Sequence, residues 1–406
     1  MHEPNDANRP TVVILGGSFA GLHVAHFLLK KAINVKVIVV SKNSHFYWNL
    51  ASPRVIAGRL DPDRLLVPIR AALIRYPEDA WELVVGAARG VDFAEKKASV
   101  AVGASGSNGA DLLRTLRYDQ LVIATGARLI YDVVVRAPWK AVSTAEDLRE
   151  RLRAFAAAAA EARHITICGA GGTGVELAGE LGAAYGGRGD KEIHLMCRGE
   201  RLGIGDAVAR AAARELRRLG VVIHYKTCVT GVMAISPLAP EEVRNRWHLV
   251  LNDSDEVWQT DLYLPTTGLE PNTDFLPEER LAEGGLFDPR PVKVDRFLRV
   301  HGTADAWACG DVISRPRASY RATRSQANAV ARNVLAALDG QDPAPWEKDR
   351  WDVFACAIGP RGGVGHINGR YPLPRFLVRR KKSRDLGMRN MKKYIDGSVT
   401  EDRAWF

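Results

Sequence analysis

Cysteine is scarce in this chain of 406 residues: the five thiols, Cys168, Cys197, Cys228, Cys309 and Cys356, lie far apart, with no C-x-x-C and no metal-ligand spacing. That scatter excludes a disulfide scaffold, gives no reason to expect a metal, and suits a reducing compartment. Long apolar runs are missing too. None reaches the roughly 18 residues of a membrane-spanning helix, so any membrane contact is expected to be peripheral. Met1-His2-Glu3-Pro4 is polar where a secretory leader is basic and then apolar, and His2 stands where N-myristoylation requires glycine. Arg403-Ala404-Trp405-Phe406 is not a prenylation box. The expected location is the cytoplasm or the periphery of an intracellular membrane.

What is present is a globular balance, 46% hydrophobic and 26% charged, which excludes disorder and collagen; the length predicts two or three domains. The 57 basic and 47 acidic residues leave +10, and the excess is local. Arg361 to Phe406 holds 12 Lys/Arg and 4 Asp/Glu, a balance of +8 against +2 for the first 360 residues. Such a tail suits an anionic partner, either a membrane surface or nucleic acid. Arg379-Arg380-Lys381-Lys382 lies among Phe376, Leu377, Val378, Leu386, Met388 and Met391, an interleaving that suits anionic lipid at least as well as DNA. A solvated rim on a small C-terminal unit is the plainer alternative.

One pattern occurs twice, about 150 residues apart. Thr11 to Leu15 is a short apolar run, then Gly16-Gly17-Ser18-Phe19-Ala20-Gly21 and an amphipathic stretch to Lys31: strand, turn, helix. His164 to Cys168 repeats it with Gly169-Ala170-Gly171-Gly172-Thr173-Gly174. The second cluster is a full G-x-G-x-x-G, with Glu176 and Glu180 on its helix; the first has Ser18 at the middle position. In such turns the glycines let a pyrophosphate approach the helix N-terminus, whose free N–H groups attract it. The first unit lacks the usual acid after its second strand and reads Ser41-Lys42. The second ends its next strand at Cys197-Arg198, where an arginine points to a 2′-phosphate and so to NADPH over NADH, a solvated surface arginine being the alternative. Gly103 to Ala110 reads as a hairpin tip, and an alanine-rich helix is expected from a cap at Ser143 or Thr144 to about Ala162, with a later one from about Arg324 to Leu338.

Three further segments point to a flavoprotein. Leu121-Val122-Ile123-Ala124-Thr125-Gly126 resembles the ATG strand of flavoproteins with two dinucleotide-binding units, Gly268-Leu269-Glu270-Pro271-Asn272-Thr273 resembles their later G-x-x-P-N-T segment, and Cys309-Gly310-Asp311 resembles the Gly-Asp pair that holds the FAD ribitol. His45-Phe46-Tyr47-Trp48-Asn49-Leu50-Ala51-Ser52-Pro53-Arg54, Gly363-Val364-Gly365-His366-Ile367-Asn368-Gly369 and Lys382-Ser383-Arg384-Asp385-Leu386 are similar to the apoptosis-inducing-factor-2 or ferroptosis-suppressor type of oxidoreductase, over about residues 10 to 395.

The resemblance implies an α/β fold with two Rossmann-like, glutathione-reductase-type domains for FAD and NAD(P) and a small C-terminal α+β unit. The expected division is 10–150 and 269–340 for FAD, 151–268 for NAD(P) and 341–406 for the basic unit. It implies FAD held without a covalent link, oxidation of NADPH or NADH, and a quinone as acceptor. Gly16 to Gly21, Lys42, Arg54, Val84, Thr125, Gly126, Gly310 and Asp311 would bind FAD or border it, and Gly268 is a further cofactor-binding candidate. Gly169, Gly171, Gly174 and Arg198 would bind the nicotinamide nucleotide, with Glu176 and Glu180 near its nicotinamide side. Lys382 would sit toward the flavin edge and acceptor pocket, a plain surface lysine being the alternative, and Glu176 and Lys382 are the candidate catalytic residues. His45 and His366 are candidates to protonate a quinone, with a structural role as the alternative for each. Without a close cysteine pair there is no thiol relay, so electrons pass directly to an acceptor. A biosynthetic tailoring oxidoreductase with one specific acceptor, and a nucleic-acid-binding or death-signalling protein on the same scaffold, are the competing readings. Ser41, His2 and Gly387 depart from the family pattern; Gly387 replaces a bulkier residue after the Ser-Arg-Asp-Leu run.

Overall fold

The computed structural model describes residues 9–103, 112–129, 135–140, 144–187, 189–235, 246–254, 256–283, 290–313 and 319–400. Most of the expected hairpin tip at 103–110, the candidate cap Ser143 and both chain ends lie outside the described residues.

Strand Thr11–Leu15 lies in the interior of a seven-stranded sheet. Lys36–Ser41 pairs with it in parallel on one side and Gln120–Ile123 on the other, and Ala306–Ala308 extends that second side. A strand covered on both faces reads as an unbroken apolar run, and Val12, Val13 and Ile14 have no exposed surface. The long strand Trp81–Asp92 first runs parallel to Lys36–Ser41, then turns out into an antiparallel meander with Lys97–Val102 and Leu112–Arg117. The chain thus leaves this sheet after residue 123 and returns to it at 306.

Between these visits it builds a second, four-stranded parallel sheet, ordered 221–225, 192–197, 164–168 and 262–265. A three-stranded antiparallel sheet, 229–234, 247–251 and 257–260, completes this unit. The alanine-rich helix Ala145–Glu161 links the units; Thr144 caps it, its hydroxyl accepting from the Asp147 N–H at 3.2 Å. The later helix runs over Tyr320–Leu338, one turn earlier than its sequence suggests, because Ser319 supplies the cap.

Past residue 350 the strands Val353–Ile358 and Gly362–Ile367 form a hairpin that lies on the helix Gly172–Tyr185. The approach is close: a Cβ on Gly179 would sit 2.7 Å from the Ile358 Cα. A short helix, Arg375–Val378, runs into a π turn, Arg379–Ser383, closed by the Arg384 N–H to the Arg379 carbonyl at 3.0 Å. This splits the basic run: Arg379, Arg380 and Lys381 are exposed, whereas Lys382 turns inward. Of the apolar neighbours, Val378 and Leu386 are buried and Phe376 is exposed. No helix among the described residues is long and apolar enough to cross a membrane.

Candidate active site at two strand-turn-helix crevices

The neighbours of strand 11–15 are reached by different routes, so the carboxyl ends of the strands part there. The opening is a cleft of about 570 Å³, within the range of about 300–1,000 Å³ usual for ligand sites. Its walls are Gly16 to Ala20 of the first turn, Lys42 beyond the next strand, Thr125 and Gly126, and Gly310 and Asp311. Every one of these follows the carboxyl end of a strand. Gly21 lies beneath: a Cβ there would meet the Gly16 carbonyl oxygen at 1.7 Å, so helix and turn touch only because it has none.

The second crevice repeats the construction. A Cβ on Gly174 would meet the Gly169 carbonyl oxygen at 1.8 Å, the same helix-to-turn contact. Gly171 precedes the helix as its cap, and the Thr266 hydroxyl donates to the Cys168 or Gly169 carbonyl, each at 2.9 Å. Gly268 follows strand 262–265 and Arg198 follows strand 192–197, both at this same edge. In both units the helix cap makes no side-chain bond and the first turn holds no acid, so each presents unneutralised N–H groups to its crevice. Lys42, Arg89, Arg128 and Lys140 at the first cleft add positive charge, against Asp274 and Asp311. These features fit two anionic dinucleotides.

The two units meet at the helix Gly172–Tyr185. Glu176, 7% exposed, accepts from the Lys382 ammonium at 3.3 Å and from the Ala357 N–H at 3.1 Å. Burial pushes its carboxyl above the usual range, and the cation and the amide only partly offset this.

The sequence profile of the pyridine nucleotide-disulphide oxidoreductases matches residues 10–328. The chain belongs to this family. Oxidoreductase ptaL of Pestalotiopsis fici is 31% identical, covering 96% of this chain and 99% of its own length. Ferroptosis suppressor protein 1 of Xenopus tropicalis is 27% identical over 92% of this chain and 93% of its own, in line with the resemblance read from the motifs. Among solved structures the sulfide:quinone oxidoreductase of Aquifex aeolicus superposes with a TM-score of 0.71 at 16% identity, covering 97% of this chain and 92% of that one; this shows the fold. The protein is therefore a flavin-dependent NAD(P)H oxidoreductase.

Within this family the chain dispenses with the thiol relay. All five cysteines are free; Cys168, Cys197, Cys309 and Cys356 are buried. Cys309 alone borders the first cleft, and burial pushes its thiol up to about 12, so it carries no thiolate near neutrality.

Two residues expected at the flavin stand elsewhere. Arg54 is not in the cleft wall: its guanidinium is turned onto Glu180, at 2.6 and 3.0 Å. Glu180 has no exposed surface and both its oxygens accept from Arg54. The Val84 side chain is buried and pairs with Val40; Gly86 to Arg89, farther along the same strand, reach the cleft instead. His45 does border the cleft, with Nδ1 2.9 Å from the Ser44 hydroxyl, and burial lowers its pKa. His366 does not: it stacks on Phe354 at 5.1 Å, and its Nδ1 accepts from the Gly369 N–H at 3.0 Å.

Lys140 is the residue that sequence reasoning missed. Its ammonium lies 2.6 Å from the Asp311 carboxylate inside the cleft. No periodicity marks it, but the tyrosine and asparagine of the family-like run Tyr47-Trp48-Asn49 place it. The Tyr47 hydroxyl donates to the Pro138 carbonyl at 2.7 Å and the Asn49 amide to the Trp139 carbonyl at 2.8 Å, while the Trp139 indole donates to the Pro265 carbonyl at 2.6 Å. The ATG and P-N-T segments likewise owe their joint appearance to contact: Thr125 Oγ1 donates to the Asn272 carbonyl and Asn272 Nδ2 to the Thr125 carbonyl, each at 2.8 Å.

Proposed function

We propose that the protein passes two electrons from NADPH, through FAD in the first cleft, to a quinone-type acceptor. The observation that carries this reading is that all five thiols are free, four of them buried, in a family fold with two dinucleotide crevices: with no relay, the acceptor takes electrons from the flavin itself. Bound there, FAD supplies the chemistry of accepting hydride and releasing two electrons. The chain supplies binding and orientation. Gly16 to Ala20 and the N-terminus of helix 19–31 would hold the pyrophosphate, and Asp311 with Lys140 the ribitol side. Gly169, Gly171 and Gly174 would seat the pyrophosphate of the nicotinamide nucleotide. Glu176 and Lys382 would border the reacting ends, a buried pair whose mutual charge keeps each in place. The purified protein is expected to be yellow, bleached anaerobically by NADPH and recoloured by a short-chain quinone. Bleaching by NADPH with no recolouring by any quinone, but recolouring by one other metabolite, would replace the quinone with that acceptor.

The preference for NADPH rests on the end of strand 192–197. No acid stands there to bind a ribose hydroxyl, and Arg198 makes no ion pair among the described residues, whereas Arg201 and Lys226 are paired with Asp206 and Glu200. An arginine-to-phosphate bond contributes about 1.5–3 kcal/mol, so Arg198→Ala is expected to raise the KM for NADPH roughly 10- to 100-fold and leave that for NADH unchanged. Equal changes for both nucleotides in steady-state assays would remove Arg198 from this role.

A further inference from the structure

We propose that Arg54 is a positioning residue: it locks the register of the turn 379–384 against the nucleotide helix and so keeps Lys382 on Glu176. Its guanidinium makes four bonds and joins its own helix to two other parts of the fold. Nε and Nη2 hold the Glu180 carboxylate at 3.0 and 2.6 Å, Nη2 also reaches the Ser383 carbonyl at 2.7 Å, and Nη1 the Arg384 carbonyl at 2.8 Å. Arg54 sits on the short helix Ser52–Ile56 of the first unit, Glu180 on the helix of the second, and the two carbonyls at the end of the C-terminal π turn. A planar fork with fixed donors suits such a junction; a lysine carries the charge but cannot reach a carboxylate and two carbonyls together.

The turn needs an outside restraint. Its π spacing is wide, and Lys381 and Lys382 are neighbours, so a slip of one residue would present the wrong lysine to Glu176. Glu176 and Glu180 are four residues apart on one helical face, with Lys382 on the first and Arg54 on the second. The residue carrying Lys382 is followed immediately by the two whose carbonyls Arg54 holds. From the other side the hairpin presses on the turn: a Cβ on Gly363 would sit 2.5 Å from the Ser383 hydroxyl. Ser383, the residue after Lys382, is thus held by Arg54 and by the hairpin, while Arg380 and Lys381 before it stay exposed. Arg54 has no wall in the flavin cleft, so this role is separate from holding the cofactor.

The inference rests on the reading that Glu176 and Lys382 border the reacting ends, and the experiment separates the two. Arg54→Met, Arg54→Lys, Lys382→Met and the Arg54→Met/Lys382→Met double variant are compared as full-length holoenzymes. Three quantities are measured: FAD affinity, the anaerobic rate of flavin bleaching by NADPH, and the rate of tryptic cleavage within residues 379–382. Arg54→Met is expected to bind FAD as the parent does, to bleach roughly 10- to 100-fold more slowly, the loss typical of a displaced positioning group, and to be cut faster in the turn. Arg54→Lys is expected to be cut as fast as Arg54→Met. The double variant is expected to bleach no more slowly than the slower single one, because both substitutions remove one interaction. Lost FAD affinity as the main effect, or additive losses in the double variant, would overturn the proposal. Unchanged bleaching in Lys382→Met would instead overturn the reading of the site, and the cleavage rates would still decide whether Arg54 locks the turn. Should Arg54→Met fail to fold because Glu180 is left charged and buried, Arg54→Met/Glu180→Gln removes that charge and carries the same comparison.

Discussion

Gly21→Ala is expected to yield a nearly colourless protein, and Gly174→Ala a yellow one that NADPH bleaches slowly. The two substitutions are chemically the same and meet the same obstacle, a carbonyl oxygen within 1.7 or 1.8 Å of the added carbon. Neither contact relaxes cheaply, because the oxygen belongs to the backbone of the turn and the carbon to a helix packed on a buried sheet. The helix must retreat, and the N–H groups that meet the pyrophosphate retreat with it. Overpacking of this kind costs about 1–3 kcal/mol, so affinity for FAD in the first variant, and for NADPH in the second, is expected to fall roughly 10- to 100-fold. FAD content after gel filtration and nucleotide titration of the yellow protein measure the two losses. If Gly174→Ala lost its colour while Gly21→Ala kept it, the assignment of the two crevices would be reversed.

Stability is expected to fall steeply as pH drops from about 6.5 to 5. His23 and His26, on helix 19–31, are held neutral: burial lowers their pKa values to about 3 and about 4 from 6.5, with Arg324 and His26 adding for His23. For His26 the bond to the Tyr394 carbonyl, at 2.5 Å, partly opposes burial. The unfolded chain takes up these protons near pH 6.5 and the folded chain does not, so stability is fully present above 6.5 and is lost as pH falls toward the folded values. The slope is about 1.4 kcal/mol per pH unit for each histidine, or roughly 2 kcal/mol each by pH 5. His194 and His224, lowered by burial between the two sheets of the second unit, act in the same direction. Thermal unfolding at pH 7.5, 6 and 5 should show a shallower dependence in His23→Phe than in the parent protein. An identical dependence would mean that His23 is protonated in the folded state or is not dry. Because His26 ties the first helix to the segment Met391–Ile395, through Tyr394, and to Tyr76 at 2.8 Å, that C-terminal segment is expected to loosen first.

The readable part of this molecule was local. Each strand-turn-helix unit declares itself within about 20 residues, because the apolar run, the glycines and the amphipathic helix are consecutive and their geometry needs nothing distant. The same holds for Gly310-Asp311, which arrives at the cleft directly from a strand of the first sheet. Lys140 was silent, since its position depends on hydrogen bonds from residues some 90 positions earlier in the chain. Arg54 was legible as a residue of interest, but not its partner: the surrounding family pattern marks it, whereas a guanidinium serves a phosphate and a buried carboxylate equally well, and the fold brings it Glu180.

Two dinucleotide-binding units, the lack of a close cysteine pair and a basic C-terminal segment are legible in the order of residues alone, for these follow from short spacings, from the scatter of five cysteines and from a charge count. What joins them is set by contacts between distant parts of the chain. Glu176 meets Lys382, Glu180 meets Arg54, and Gly179 admits the C-terminal hairpin, contacts that span from 126 to 206 residues of chain. Their partners are chosen by which faces of a helix are left uncovered once the sheets have closed. A buried carboxylate must then find a cation within reach, and no local pattern states which one that is.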